Sequence, residues 1–291
     1  MPSFTTSFKF DTLIMVDSIP SNEYPQTGVW LHDDVLMPLC QQHGVNLCRV
    51  RVENRVALFQ ALSEVAAFVR DASISPVIHF ESHGTEEGIQ LADRDIVRWP
   101  ELRPLLTEIN VGCRMNLLTI MSMCHGWHLV SQLVPTDRAP VWALIGPVPE
   151  VLPARLQEAF QAFYPRLLDA LDGRQALAAM NAEREGTRWE LKIELAELMF
   201  CKTWRRYEQE LCSPDALGER TDNIVVQWVR RSGYDLRYAI YGRPIARQSL
   251  ESTEESFDHF RRSFLLLDLF PDNATRFALT YRDCVDAKIS D

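Results

Sequence analysis

His83 and Cys124 are the two side chains of this sequence with the types and setting for acyl-transfer chemistry. Each ends an apolar run, and each is followed within two residues by glycine. The first run is Pro76-Val77-Ile78-His79-Phe80-Glu81-Ser82-His83-Gly84, and the second is Met115-Asn116-Leu117-Leu118-Thr119-Ile120-Met121-Ser122-Met123-Cys124-His125-Gly126. A cysteine attacks a carbonyl only as its thiolate, so it needs a base close by, and histidine is the usual one. Gly84 would serve such a pair, because a residue without Cβ lets the backbone approach a substrate. Its N–H, with that of Cys124, would then form an oxyanion hole. Gly84 as a plain strand end, and Cys124 as a buried cysteine at a strand end, fit the same residues.

Other chemistries find less support in the residues. His79 lies inside its apolar run and is expected to be a satisfied core histidine. Cys124, His125 and His128 suggest a metal, but no Cys-x-x-Cys pair supplies further ligands, so neither metal nor cofactor is expected. Ser82 and Ser122 do not lie in a Gly-x-Ser-x-Gly elbow, and there is no glycine-rich phosphate loop.

The elements that must position His83 and Cys124 follow from hydrophobic pattern. Short apolar runs bounded by glycine suit buried parallel strands, whose carboxyl ends gather ligands in open α/β sheets. Thr12–Asp17 predicts a first buried strand, followed by a polar loop over 18–27 that would border the cleft. A helix is expected over 29–43, a strand over 45–52 with one less buried face, and a helix to Arg70 capped by Asn54. Between the two candidate residues, 88–97 predicts a small hairpin and 99–109 a helix. After Cys124 come a short helix over 128–134, a strand over 140–146 and an amphipathic helix over 152–171. Helical spacing over 187–212, alternation over 234–241 and helical spacing over 252–269 predict a helix, a strand and a helix.

A chain of 291 residues with 46% hydrophobic residues can build one large α/β domain with an extension. Thirty basic against 40 acidic residues leave a net charge of −10, which repels a phosphate backbone and argues against nucleic-acid binding. The first residues lack a signal peptide's charged start and apolar core, and no later run approaches a membrane span, so the expected compartment is the cytoplasm. The seven scattered cysteines are expected to be reduced.

In order and setting, His83-Gly84 and Cys124-His125-Gly126 resemble the clan CD cysteine proteases, which include caspases, metacaspases, separase and the bacterial CHAT (caspase HetF-associated) proteins. The histidine precedes the cysteine by about 40 residues, against about 50 in the caspase signature. Ile145-Gly146, Phe163-Tyr164 and Ala176-Leu177 extend the resemblance toward the CHAT type, over roughly residues 10 to 182. It implies a caspase-like three-layer α/β sandwich with a mostly parallel sheet over 1–182, and a mainly helical extension packed on it over 183–291. It also implies an endopeptidase with a His83–Cys124 dyad and a protein substrate, such as a gasdermin-like pore former or another protease in bacterial antiviral defence. A silent scaffold or sensor of the same fold, or a peptidyl transferase using the same dyad, are the alternatives.

In the resembling families the residue two before the nucleophile lines the pocket for the substrate side chain preceding the cut. Metacaspases carry aspartate there, and caspases carry glutamine beside arginines. Ser122 occupies that position and supplies no charge. An uncharged P1 residue is therefore expected, unless a carboxylate from Asp93, Asp95, Asp17 or Glu81 reaches the pocket.

Overall fold

Four runs of this chain are apolar on both faces, and each becomes a strand with nearly every residue buried. They are β1 (Thr12–Asp17), β3 (Pro76–Glu81), β7 (Leu118–Ser122) and β8 (Ala143–Pro147). Strands covered on both faces are expected to read this way, whereas β2 (Asn46–Arg51), with its exposed positions, lies at an edge. The computed structural model describes residues 8–172, 175, 176, 178 and 191–286. Its central sheet has the order β2-β1-β3-β7-β8-β9, parallel throughout except for β9 (Leu191–Leu195). A second sheet of three short antiparallel strands comprises β4 (His83–Gly84), β5 (Gly88–Gln90) and β6 (Ile96–Arg98). The hairpin expected over 88–97 is therefore present, and His83 belongs to the same small sheet.

Helices connect the parallel strands. α1 runs through Thr27–Trp30, a wide π-helical stretch Leu31–Leu36, and Met37–His43, and ends at Gly44 in the left-handed conformation. α2 (Arg55–Ala72) starts where the Asn54 side chain accepts the Ala57 N–H at 3.0 Å, as expected of a cap. α3 (Trp99–Gly112) packs beside α2, and α4 (Pro153–Ala170) packs beside α1. His79 and Glu81 share one face of β3 by strand alternation. That face is covered by α4, whose Phe160 and Tyr164 rings lie against His79.

The chain divides into two compact units. Among the described residues, the first holds 8–132, 139–172, 175, 176, 178 and 191–196, and the second holds 133–138 and 197–286. The change of character expected at 182/183 lies outside the described residues, as do Leu177 and Trp189. In the second unit α5 (Ala196–Arg206) leads into α6 (Pro214–Arg231), α7 (Arg237–Leu250), α8 (Glu254–Phe264) and a short α9 (Tyr281–Asp286). Its core is aromatic: Phe200 and Trp204 each meet Phe257 with ring centroids 5.2 Å apart. Among the described residues no helix is long and apolar enough to cross a membrane.

Four expectations need correction. Residues 191–195 form a strand where a helix was expected, because Leu191, Ile193 and Leu195 also alternate and β8 offers an edge to pair with. Residues 234–241 form a turn and the start of α7 where a strand was expected, since the alternation there also fits a helix that packs on α6. The helix expected over 128–134 is a 3-10 helix over Gly126–Val130. Not all the cysteines are reduced, because Cys201 and Cys284 form a disulfide with Cα atoms 5.0 Å apart. At a sequence separation of 83, no local spacing announces that pair. Cys40, Cys48, Cys113, Cys124 and Cys212 stand outside that disulfide.

Candidate active site

The chain goes from β1 to β2 on one side, then crosses to β3 on the other, so the connections leaving β1 and β3 part at the sheet's carboxyl edge. Such a divergence opens a crevice without any special sequence. The loop after β1 carries Glu23, and the chain after β3 carries His83. They meet there, with Glu23 Oε2 2.6 Å from His83 Nε2 and both side chains partly exposed. A carboxylate only accepts, so Nε2 carries the proton and donates. In the neutral ring Nδ1 is then the acceptor.

Cys124 follows β7 in a turn. His125 is left-handed there (φ 57°), and Gly126 is required because a Cβ would fall 2.4 Å from that of Met121. A Cβ on Gly84 would fall 2.0 Å from the Cys124 carbonyl oxygen and 2.9 Å from Met123 Cγ, so the Gly84 backbone lies directly against the cysteine's own segment. The structure thus brings the His83-Gly84 strand to Met123-Cys124. It does not join the two reactive groups. The half-buried thiol accepts the Val151 N–H at 3.4 Å and faces the Val151 carbonyl at 3.6 Å, while the His83 ring is bonded to Glu23. Active-site bonds are often loose before substrate binds. Burial pushes the Cys40 thiol up to about 11, which leaves it inert at neutral pH.

Along the same edge, strand register lines up Arg51, Asp17, Glu81 and Ser122. Each carboxylate in this row is already engaged. Buried Asp17 accepts from Arg49 Nε at 3.1 Å, Arg51 Nη1 at 3.2 Å and the Ile19 N–H at 3.1 Å. Glu81 accepts from Thr27 Oγ1 and lies 2.9 Å from His79 Nε2. His79 Nδ1 is 2.7 Å from the Tyr164 hydroxyl, whose titration burial holds well above the ordinary value, with Glu81 adding to it. The hydroxyl therefore keeps its proton and donates it to Nδ1, while Nε2–H donates to Glu81. His79 is a satisfied core histidine, as expected. Asp95 pairs with Arg55 at 2.9 Å, and Asp93, exposed on the hairpin, accepts the Asp95 N–H. Ser122 is buried, and its hydroxyl has no hydrogen-bond partner among the described residues.

His125 and His128 have ring centroids 5.5 Å apart, and burial, followed by the neighbouring His125, lowers the His128 pKa. Among the described residues no three His, Cys, Asp or Glu side chains are arranged to hold a metal. Motif reading missed Glu23, and it missed Arg49 and Arg51 on Asp17. A lone glutamate in a polar loop has no periodicity to mark it, and only the divergence of strand order points there.

No family model matches the chain, and no curated protein matches it in sequence. Among solved structures it is similar to the initiator caspase Dronc of Drosophila, with 13% identity and a TM-score of 0.46, over 66% of this chain and 82% of that one. What the structure itself establishes is an α/β fold with a mostly parallel six-stranded sheet and a helical C-terminal region.

Proposed function

We propose that the chain is a caspase-like cysteine endopeptidase with Cys124 as nucleophile and His83 as base. The observation that carries this is the contact of the Gly84 backbone with the Cys124 carbonyl, at the carboxyl edge where the β1 and β3 loops diverge. In the reaction His83 Nδ1 takes the thiol proton as Sγ attacks the scissile carbonyl, and returns it to the leaving amine. The Gly84 and Cys124 N–H groups face the developing oxyanion. By the sequence resemblance, the substrate is a protein, and activation of a gasdermin-like pore former or another protease in bacterial defence is the context.

Glu23 is a positioning residue in this scheme. Its bond to Nε2 fixes the tautomer that leaves Nδ1 free to accept, and balances the imidazolium formed when the thiol ionises. Glu23→Ala is expected to lower kcat on the order of 10- to 100-fold with KM little changed. Glu23→Gln, which keeps an acceptor at Nε2, is expected to recover part of the loss. Equal activity in all three proteins would remove Glu23 from the mechanism.

The pocket is expected to favour an uncharged P1 residue. Asp17 is neutralised by Arg49 and Arg51, Glu81 is spent on Thr27 and His79, and Ser122 brings only a hydroxyl. An arginine entering there would lose its water without a partner, a penalty of several kcal/mol before relaxation. Cleavage of a peptide library tests both the activity and the preference. A dominant arginine or lysine at P1 overturns the preference and directs attention to Asp93. Addition of an amine nucleophile to the same assay separates hydrolysis from peptidyl transfer.

A silent dyad is favoured by one observation, that the thiol is bonded to Val151 and not to His83. A fluorescent alkylating reagent distinguishes the readings. In a Cys48→Ser background, which removes the exposed competitor, an activated Cys124 labels far faster than Cys212.

A further inference from the structure

α6 and α7 form an antiparallel hairpin within the second unit, turned by Gly233 in the left-handed conformation. The two helices meet through small residues. Gly242 and Ala246 are the buried positions of α7, and a Cβ on Gly242 would fall 3.1 Å from the Trp228 ring. The rest of α7 is turned outward, including large apolar side chains. Ile240, Tyr241 and Ile245 are 67%, 71% and 62% exposed, with Tyr234 and Leu236 of the turn beside them. Tyr238, Tyr241 and Ile245 follow one another at intervals of three and four, the spacing of a seam that packs on another helix. A groove of about 720 Å³ lined by Trp228, Arg231, Asp235, Tyr238, Tyr241 and Ile245 runs along it. A contiguous outward apolar face of this kind marks a contact surface.

Charge selects the occupant. The tip of the hairpin is basic, with Arg230, Arg231 and Arg237 against Asp235. The opposite end is acidic, with Asp215, Glu219, Asp222, Glu251, Glu254 and Glu255 against Arg220, Arg243 and Arg247. Two hairpins laid antiparallel about a twofold axis therefore bring each basic tip to the other's acidic end. An anionic membrane or a nucleic acid would be repelled by that acidic end and by the chain's net charge of −10.

We propose that the α6–α7 hairpin is the interface of an antiparallel homodimer. With the axis passing between Tyr241 and Gly242, Tyr238 of one copy meets Ile245 of the second, and Arg231 approaches Glu251 and Glu254 of the second. One helix face from each copy is at the small end of specific interfaces, so a weak, concentration-dependent dimer is expected.

Sedimentation equilibrium of the full chain up to on the order of 100 μM is expected to show monomer and dimer, with added salt shifting the balance toward monomer. Tyr241→Glu, at an exposed position that leaves the fold intact, weakens the dimer by about 30-fold. Arg231→Glu and Glu254→Arg each weaken self-association, and mixing the two variants restores pairing, because both contacts in the mixed dimer then join opposite charges. A chain that is monomeric at the highest concentration overturns the proposal. So does a dimer indifferent to Tyr241→Glu, failure of the mixture to pair, or binding of the hairpin to anionic vesicles in place of a second copy.

Discussion

Cys124→Ala is expected to abolish peptide cleavage, and His83→Ala to lower kcat/KM by roughly 10³-fold or more, the scale lost when a nucleophile or its base is removed. Neither change threatens the fold. The Cys124 thiol is half-buried and its contacts with Val151, at 3.4 and 3.6 Å, are the weak bonds of a thiol, while the His83 ring is exposed. Each variant is expected to keep its stability within about 1 kcal/mol. Kinetics on the purified variants beside their thermal melting curves check both halves. Full cleavage by Cys124→Ala would end the cysteine-protease proposal. Because losses within one catalytic unit are not additive, the double variant is expected to be no slower than Cys124→Ala alone.

Most of the first unit was legible from sequence because its strands are buried on both faces. Thr12–Asp17, Pro76–Glu81 and Leu118–Ser122 have no solvent side to interrupt their apolar runs. The candidate pair was legible for the same reason, since His83 and Cys124 interrupt the pattern where a run ends beside glycine. Glu23 was not, because its meeting with His83 comes from strand order and not from its neighbours in sequence. Asp17 shows the converse. Its place at the end of β1 suggested a pocket wall, but β2 lies beside β1 and supplies Arg49 and Arg51, two side chains that a reading of β1 alone leaves out. Short alternations, at 191–195 in the first unit and at 234–241 in the second, fit both strand and helix, and the available neighbour decided each: a free sheet edge for the first and α6 for the second.

Gly84→Ala tests the contact on which the proposed site rests. A Cβ there would lie 2.0 Å from the Cys124 carbonyl oxygen, well inside van der Waals contact, and 2.9 Å from Met123 Cγ. The Met123 side chain can turn away. The carbonyl is backbone and cannot, so either β4 or the Met123-Cys124 segment must shift, and His83 or Cys124 shifts with it. A displacement near 1 Å at a reacting centre costs on the order of 10² in rate, so kcat/KM is expected to fall about 100-fold or more. Overpacking also destabilises, here by about 1–3 kcal/mol. Gly44→Ala provides the contrast, because Gly44 has φ +68° with nothing within 4 Å of a Cβ. Its cost is backbone strain of roughly 1–2 kcal/mol, and activity is expected to be unchanged. Thiol titration on folded Gly84→Ala protein establishes that Cys124 is still present when activity is lost. Wild-type turnover in Gly84→Ala would mean that the two segments are not in catalytic contact, and would separate His83 from Cys124.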